Sequence, residues 1–412
     1  MTLLTTTTEA ADRWDAQAFF DHAHATGLAA TPPVLESATS AVISGADRDL
    51  VNFASCSFLN MHNHPDVLET FVTQAPRFGL ATGGSRMVQG KLRPHVNLEQ
   101  ALVEATGKEA VITFASGLLA NVGFVHAMSR SMNLGGGLSW GVDDIVFLLD
   151  HDSHWSMWKA VEGLKFGERV LPFRHNDLDS LEKRLQSLDG RRAVIMFESV
   201  YSDDGSIAPM RGIVGLARKY DALTFVDDAN GFLVYGPGRF RFAEEFAALK
   251  DITFHMVSLS KAVGLEGGAI AGPGEYIAIF EWLAGTSSFT ATMLPPQAAA
   301  ATRAIGLIRD DPVILDRFHG TVDHFRAALT EAGFELNPTP AYITTTRIGD
   351  EGDAERVRDL AHAAGYLVPV FRYPAVRRGR AGLRLMPNID HTREQIDGFA
   401  DTLARIRATV GF

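Results

Sequence analysis

One lysine in the chain, Lys261, has surroundings that favour chemistry. Residues 257–273 read VSLSKAVGLEGGAIAGP, in which an apolar run leads to a Ser-Lys pair and a glycine pair opens a second apolar run. No carboxylate lies within four residues of Lys261 on either side. A lysine without a salt-bridge partner can act as a free, nucleophilic amine. Taken alone, however, the pattern is more typical of a lysine on the protein surface.

Polar residues follow several other apolar runs that have the composition of strands. Ser116 and Gly117 come just after one run, His154 follows a second, and Asp227 follows a third. In open α/β sheets, ligands bind beyond the carboxyl ends of the strands, and the free N–H groups at a helix start hold phosphate. We therefore expect these residues to meet at one edge of a sheet, although each alone is also typical of an ordinary turn or cap.

Together, these features meet the requirements of pyridoxal 5'-phosphate (PLP). A lysine amine forms a Schiff base with the aldehyde of the cofactor, and a carboxylate keeps the pyridine nitrogen protonated so that the ring accepts electrons. An aromatic side chain stacks on the ring, and a helix start holds the phosphate. The alternative for the HDSH segment at 151–154, a metal site, lacks a third-ligand motif. The sequence therefore predicts PLP as cofactor and no metal.

The elements that position these residues follow from the hydrophobic pattern, which alternates short β-branched runs with longer amphipathic ones. Helical patterns lie between most of the short runs, which indicates an α/β domain with a largely parallel sheet. We place an N-terminal arm at 1–50, a large domain at 51–304 and a smaller α+β domain at 305–412. The seven predicted strands of the large domain are 110–114, 144–149, 169–173, 193–197, 222–226, 252–259 and 268–272.

Two local patterns add detail. The segment HTREQ offers Thr392 as the N-cap of the last helix with Gln395 at the third helical position, which is a capping box. The glycine-rich stretch NLGGGLSWG at 133–141 is typical of a flexible surface loop.

Composition excludes several classes of protein. The chain has 412 residues, of which 46% are hydrophobic and 21% charged, as in globular proteins. A net charge of -11 argues against nucleic-acid binding. The first residues lack the basic and apolar segments of a signal peptide, and no apolar run approaches the roughly 20 residues of a membrane span. With one cysteine, Cys56, the chain fits a reducing compartment, so we expect a cytoplasmic protein.

Nine segments between about residue 51 and the C-terminus carry a family resemblance. In order, they are TGGSRMVQG, GKEAVITFASGLLAN, DHDSHWSMW, FRHNDLDSLEKRL, FESVYSDDGSIAPM, FVDDANGFLVYG, SLSKAVGLEGGAIAG, ATMLPP and YPAVRRGRAGLRLMPNIDHT. On these segments, the sequence resembles the α-oxoamine synthases, which include 5-aminolevulinate synthase, 8-amino-7-oxononanoate synthase, 2-amino-3-ketobutyrate ligase and serine palmitoyltransferase. The resemblance implies a fold-type I PLP enzyme, similar to aspartate aminotransferase, that forms a homodimer with shared active sites.

The resemblance also implies a role for each matching residue. Lys261 would form the Schiff base and remove the α-proton of the substrate, Asp227 would pair with the pyridinium, and His154 would stack on the ring. Arg384 would bind the carboxylate of the amino acid. Ser202 would contact the phenolic oxygen of the cofactor. The phosphate would be held by Ser116, Gly117, Leu118, Ser258 and, from the other subunit, Thr292.

Three positions depart from the family pattern. Asn230 stands where the family usually has histidine, so an amide replaces a group that can transfer a proton. Cys56 lies where relatives have an Asn-containing pair that shapes the substrate pocket, and Ser85 lies where the glycine-specific branch tends to have threonine. In addition, Arg377 and Arg380 add charge near the end of the chain. These differences indicate a divergent member with an unusual acyl donor.

The predicted reaction is a decarboxylative condensation of a small α-amino acid (glycine, alanine or serine) with an acyl thioester, carried by coenzyme A or a carrier protein. Its products are an α-aminoketone, CO2 and free thiol. One alternative keeps the cofactor but catalyses aldol-type addition, transamination or decarboxylation without a thioester. Another is a non-catalytic partner subunit, against which the presence of Lys261, Asp227, His154 and Arg384 argues.

Overall fold

The structure is a computed structural model that describes residues 15–25, 34–45, 47–136, 138–140, 145–236, 241–373 and 376–412. Its strands are β1 (Val42–Ser44), β2 (Asp49–Asn52), β3 (Ala110–Phe114), β4 (Met132–Gly135), β5 (Leu138–Trp140), β6 (Val146–Asp150), β7 (Val170–Phe173), β8 (Ala193–Glu198), β9 (Leu223–Asp227), β10 (Phe254–Ser258), β11 (Gly268–Gly272), β12 (Thr344–Gly349), β13 (Tyr366–Leu367), β14 (Val370–Phe371) and β15 (Ala381–Leu385). Its α-helices are α1 (Ala16–Ala25), α2 (Pro65–Phe78), α3 (Arg86–Gln89), α4 (Arg93–Thr106), α5 (Gly117–Ser129), α6 (Trp155–Val161), α7 (Leu178–Gln186), α8 (Met210–Lys219), α9 (Ala243–Phe246), α10 (Gly274–Leu283), α11 (Gly285–Ser288), α12 (Pro295–Asp310), α13 (Pro312–Glu331), α14 (Glu351–Ala363) and α15 (Arg393–Val410).

Seven strands form the central sheet in the order β3-β11-β10-β9-β8-β6-β7. Six of them point the same way, and β11 is antiparallel to both of its neighbours, β10 and β3. The inner strands are buried on both faces, which is why their sequences are continuous apolar runs instead of alternating ones. The seven predicted strands agree with the observed ones to within two residues at each end, so the predicted fold class is confirmed.

The parallel direction of six strands brings their carboxyl ends to one edge of the sheet. Glu198 and Asp227, the last residues of β8 and β9, lie directly opposite each other in the strand register. Ser258 ends β10, the next strand along. The helix α5 begins three residues after β3 at the same edge, with Ser116 as its N-cap. The edge therefore collects the polar residues that the sequence analysis singled out.

The C-terminal part of the chain forms a second, antiparallel sheet in the order β12-β15-β14. Its core includes Phe53, whose ring stacks on Phe325 and Phe399 with centroids 5.0 and 4.4 Å away. β2 spans residue 50 and pairs with β13, and α12 spans residue 304. The domain boundaries at 50 and 304 stay a prediction, and residues 1–14, 26–33 and 46 of the predicted arm lie outside the described part of the chain.

The two local predictions had different outcomes. The capping box is confirmed, because Thr392 accepts a hydrogen bond from the Gln395 N–H and the Gln395 side chain accepts one from the Thr392 N–H. The flexible loop predicted at 133–141 is wrong, because β4 and β5 pair there as an antiparallel hairpin. Gly135, at a φ of +80°, supplies the turn, and the indole N–H of Trp140 anchors the hairpin on the Ala127 carbonyl at 3.1 Å. Two glycines of this stretch lie outside the described residues.

None of the helices in the described part of the chain combines the length and the apolar character that a membrane span needs.

Candidate active site

Asp227 lies at the centre of a buried hydrogen-bond network at the sheet edge. One of its carboxylate oxygens accepts from Asn121 Nδ2 at 2.9 Å, and the other accepts from the Ala229 N–H at 3.1 Å. Asn121 Nδ2 also donates to Ser156 Oγ at 2.9 Å, and Ser156 Oγ lies 2.8 Å from Nδ1 of His154. A chain of hydrogen bonds therefore joins Asp227 to His154, the two residues expected to contact a cofactor ring.

The electrostatic state of Asp227 depends on this burial. Burial raises the pKa of the Asp227 carboxyl, while the hydrogen bond from Asn121 and the nearby His154 act in the opposite direction. No lysine or arginine of the described chain forms an ion pair with Asp227. A buried carboxylate without a counter-charge is unfavourable. A positively charged ring nitrogen of a ligand would supply that counter-charge.

A second carboxyl, Glu198, lies beside Asp227 on the neighbouring strand. It accepts the backbone N–H groups of His154 at 2.5 Å and Ser202 at 3.2 Å. Burial and the proximity of Asp227 raise its pKa well above the usual value. Because two adjacent buried carboxylates repel each other, the neutral form of Glu198 favours the charged form of Asp227. Glu198 thus fixes the positions of His154 and Ser202 at the edge of the site.

His154 is the N-cap of α6, and its ring is held in one orientation. Nδ1 accepts the Ser156 N–H at 3.2 Å, so the ring proton lies on Nε2 in this network. Burial lowers the pKa of the imidazole, Lys261 and Arg384 lower it further, and Asp227 partly opposes them. The ring is therefore neutral at physiological pH, as suits stacking on a cofactor ring that itself carries a positive charge.

The start of α5 provides an anion cradle. The Ser116 side chain accepts the Leu119 N–H at 3.2 Å, which leaves the first N–H groups, those of Gly117 and Leu118, without partners inside the helix. A Cβ atom on Gly117 would lie 3.4 Å from the Ser258 side chain, so the Ser258 hydroxyl faces the helix start. These groups form the combination of backbone N–H and hydroxyl donors that holds a phosphate.

The glycine pair after Lys261 joins the lysine segment to this cradle. A Cβ atom on Gly268 would lie 2.6 Å from the Ser116 carbonyl oxygen and 2.7 Å from the Gly117 nitrogen, which no side chain permits. Gly267 has a φ of +142°, a conformation that residues with a side chain rarely adopt. The pair is thus required for the backbone after Lys261 to approach the cradle.

Lys261 follows β10 and is half-buried, and its amine forms no ion pair with any described residue. Its neighbour is the Cys56 thiol. Burial would raise the pKa of this thiol, but Lys261 and Arg384 lower it, and the net shift is downward. The structure therefore brings Cys56, Lys261 and Arg384 together, although they come from three distant parts of the sequence.

Arg384, on β15, is a buried cation without an anion. Its side chain is only 6% exposed, its Nε has no hydrogen-bond partner, and no carboxylate of the described chain pairs with it. The guanidinium lies 5.2 Å from the centre of the Phe371 ring. A buried, unpaired guanidinium is costly and suits the binding of a ligand carboxylate.

Asn230 is buried, and both ends of its amide are engaged within the protein. Nδ2 donates to the Val200 carbonyl at 3.2 Å, and Oδ1 accepts from the Tyr342 hydroxyl at 3.1 Å. The backbone N–H of Tyr342 in turn donates to the Tyr235 hydroxyl at 3.0 Å. Asn230 is therefore held by a buried tyrosine pair.

Two predicted site residues, Ser85 and Thr292, form no hydrogen bond with this group in the described part of the chain. Ser85 is the N-cap of α3 and donates to the Ser288 carbonyl. Thr292 lines a small cavity together with Arg86 and His95, and its buried hydroxyl has no partner in the described chain. No hydrogen bond or ion pair in the described residues joins Ser85 or Thr292 to Lys261, Asp227 or Arg384.

Sequence reasoning missed four residues of the network. Asn121 had a usable signal, because it lies four residues after Gly117 and so on the same helical face one turn further on. Glu198 ends a predicted strand in the same way as Asp227 does. Ser156 lies only two residues after His154, so the sequence already places the two side by side. Tyr342 gave no such signal, since only the folded chain brings it to Asn230.

These residues fit PLP on structural grounds. The unpaired carboxylate of Asp227 matches a pyridinium, the neutral His154 matches a ring face, and the free N–H groups of α5 match a phosphate. The unpaired amine of Lys261 matches an aldehyde. No group of His, Cys, Asp and Glu in the described part of the chain is arranged to hold a metal ion.

Comparisons with known proteins give matches over nearly the whole chain. The family model "Aminotransferase class I and II" matches residues 48–403. The chain is 34% identical over 368 residues to 8-amino-7-oxononanoate synthase from Methylococcus capsulatus, covering 89% of this chain and 91% of that protein. It is 32% identical to 5-aminolevulinate synthase from Bradyrhizobium diazoefficiens, covering 88% and 87%. Among solved structures, a serine palmitoyltransferase variant from S. paucimobilis with bound PLP–myriocin aldimine superposes with a TM-score of 0.86 at 26% identity, covering 97% of this chain and 99% of that one.

Proposed function

Because the chain belongs to the aminotransferase class I and II family and, within it, to the α-oxoamine synthases, we propose that it is a PLP-dependent C-acyltransferase. It condenses a small α-amino acid with an acyl thioester, with uptake of one proton, to give an α-aminoketone, CO2 and free thiol. The family, the enzyme class and the cofactor predicted from the sequence are confirmed.

The observation that carries this proposal is the unpaired Arg384 beside Lys261. A guanidinium buried in this way lacks only an anion of the size of a carboxylate. An amino acid bound there through its carboxylate would place its amino group and α-carbon towards Lys261, which lies within electrostatic reach of the same pocket. Arg384 is thus assigned to substrate binding, and the neighbouring Lys261 amine to the chemistry.

When bound, PLP supplies an electron sink for the carbanion formed at the α-carbon of the amino acid. Lys261 accepts the α-proton, because a free amine without a salt bridge is a competent base. Asp227 would hold a positive charge on the ring nitrogen of the bound cofactor. Because burial and Asp227 raise the pKa of the adjacent Glu198, Glu198 adds less negative charge beside Asp227 than an ordinary carboxylate would. The buried walls of the pocket exclude water, which strengthens these interactions.

The test is a screen of glycine, alanine and serine against a panel of acyl thioesters. Release of thiol and CO2 is measured in parallel, and the product is identified by mass spectrometry. We expect both to appear in equal amounts and only when amino acid and thioester are present together. Products formed from the amino acid alone would contradict the proposal.

The second candidate function is PLP chemistry without a thioester. It is favoured by Asn230, whose amide cannot transfer a proton and is already engaged by Val200 and Tyr342. The same screen, run with the amino acid and a 2-oxo acid or aldehyde in place of the thioester, distinguishes the two functions.

We further propose a cytoplasmic homodimer with shared active sites. No hydrogen bond joins Thr292 or Ser85 to Lys261 within the described chain, and exposed apolar residues lie close to them in sequence, including Val88 at 88% and Phe289 at 73% exposure. Burying these side chains against a second copy would remove apolar surface from water. Thr292, whose hydroxyl has no partner in the described chain, would then reach the phosphate of the other subunit.

Hybrid dimers test this arrangement. Lys261→Ala and Thr292→Val subunits are each inactive or weakened alone, but a mixed dimer contains one site with Lys261 from one subunit and Thr292 from the other. We expect mixing to restore activity. A fully active monomer, or no recovery after confirmed subunit exchange, would contradict shared sites.

A further inference from the structure

Four arginines form a basic patch, defined here as Arg347, Arg377, Arg378 and Arg380. All four side chains are exposed, and none forms an ion pair with a described residue. The acidic residues that follow Arg347 in sequence, Asp350, Glu351, Asp353 and Glu355, form no ion pair with the patch. Asp350 caps α14, and Glu355 pairs with Arg372.

Local contacts hold the basic patch together. Arg347, on β12, donates from Nη2 to the Gly379 carbonyl at 2.9 Å, which ties the strand to the turn that carries the other three arginines. Within that turn, the Arg380 N–H donates to the Arg377 carbonyl at 3.1 Å. The Arg378 guanidinium lies 4.7 Å from the centre of the exposed Tyr373 ring. The patch is therefore a formed surface in which arginine stacks on tyrosine.

β15 connects the basic patch directly to the active site. The strand begins at Ala381, immediately after Arg380, and Arg384 is four residues further along. At about 3.3 Å per residue, the distance along the strand is about 13 Å. A flexible arm anchored outside at the patch can reach the pocket over such a distance.

The charge of the patch contrasts with that of the whole chain, which carries a net charge of -11. An acidic protein is repelled by most of this surface and attracted by the patch, so charge steers it to this place. A nucleotide would need a concave pocket, whereas these side chains stand exposed along a turn. Exposed arginine and tyrosine are instead the residues enriched at protein interfaces.

On this basis, and resting on the proposed function, we propose that the basic patch docks an acidic carrier protein whose phosphopantetheine arm delivers the acyl thioester. The patch holds the carrier protein at the surface, and the arm spans the distance to the pocket of Arg384 and Lys261. The acyl donor is thereby assigned to a carrier protein and not to free coenzyme A.

Binding of holo acyl carrier protein tests the proposal without relying on turnover. The variant Arg377→Gln/Arg378→Gln/Arg380→Gln removes three charges and leaves Arg347, which has a structural hydrogen bond, in place. The matched control Arg130→Gln/Lys183→Gln/Arg192→Gln removes three exposed charges that make no ion pair in the described chain. Affinity is measured by calorimetry at low and high salt.

We expect the patch variant to bind holo acyl carrier protein about tenfold more weakly at low salt, since each rim charge contributes a modest amount. The difference should shrink at high salt. The control should bind as the wild type does. In kinetic assays, the patch variant should lose kcat/KM with acyl carrier protein but keep it with the same acyl group on coenzyme A.

Other outcomes overturn the proposal. Absence of carrier-protein binding at low salt, or equal binding by all three proteins, removes the docking role. A loss of kcat/KM confined to acyl-coenzyme A assigns the patch to nucleotide phosphates. If acyl-coenzyme A is turned over while the patch has no effect, only this inference fails. If no thioester is turned over, the proposed function itself fails.

Discussion

The two halves of the site differ in whether their polar groups have partners. We call the half around Asp227 closed, because its polar groups are joined by hydrogen bonds, and the half around Arg384 open, because its charged groups lack ionic partners. In the first half, Asn121, Ser156 and His154 satisfy one another in a buried chain. In the second half, Arg384 and the Lys261 amine have no ionic partners in the described residues. The first half has the rigidity needed to hold a permanent cofactor, and the second keeps the unmet charges needed to bind a substrate that comes and goes.

The two halves also differ in how the chain builds them. The Asp227 half comes from the ends of neighbouring strands and the helices that follow them. The Arg384 half joins Cys56, Asn230, Tyr342 and β15, which are far apart in sequence. Specificity can therefore change in the second half without disturbing cofactor binding in the first. Two of the three positions predicted to depart from the family pattern, Cys56 and Asn230, belong to the second half.

The largest expected effect is the loss of Lys261, which links the two halves. Lys261→Ala should abolish the visible absorbance of the PLP-loaded protein and lower the condensation rate by about 10³-fold or more, because both the covalent link and the base are lost. Absorbance spectra and steady-state rates check this. Lys183→Ala, at an exposed lysine, is the control. A Lys261→Ala protein that kept its visible band would refute the cofactor link.

Arg384→Gln should act on the open half alone. Losing a charged hydrogen bond of about 1.5–3 kcal/mol should raise KM for the amino acid by roughly 10- to 100-fold, with little change in cofactor absorbance. Arg384→Lys keeps the charge but loses the planar guanidinium fork, so its KM for the amino acid should lie between those of the wild type and Arg384→Gln. If KM rose for the thioester instead, Arg384 would bind the acyl donor and not the amino acid.

Tyr342→Phe probes the support of Asn230. It removes one hydroxyl from a buried position at little change in volume, which should lower kcat/KM by about 2- to 10-fold. Because the two residues share a hydrogen bond, the effects of Tyr342→Phe and Asn230→Ala should not add in the double variant. Additive effects would show that Asn230 acts independently of Tyr342.

The smallest expected effect concerns Cys56, which as the single cysteine gives an unambiguous labelling signal. Lys261 and Arg384 lower its pKa, so more thiolate is present at neutral pH and iodoacetamide should label the cofactor-free protein faster than an ordinary thiol. Lys261→Ala should raise the pKa, slow labelling severalfold at neutral pH and move the rate profile to higher pH. An unchanged rate profile would mean that Lys261 does not affect the pKa of Cys56.

The sequence predicted the closed half well because its residues follow apolar runs whose ends must meet in a parallel sheet. The fold, the strands and the placement of Asp227, His154 and Ser258 at one edge follow from that rule. Nothing comparable places Tyr342 against Asn230 or Cys56 against Lys261, since those contacts depend on how the C-terminal sheet packs on the large one. The roles of the individual site residues stay a prediction.

The contact between Gly268 and the start of α5 limits how the enzyme can be redesigned. Any side chain at Gly268 would push the Lys261 segment away from the phosphate cradle, so the two anchors of the cofactor cannot be varied independently. Libraries aimed at new substrates are better built at Cys56, Asn230 and Tyr342. Substitutions at these positions alter which substrates enter the pocket and leave the spacing between the Lys261 segment and the phosphate cradle unchanged.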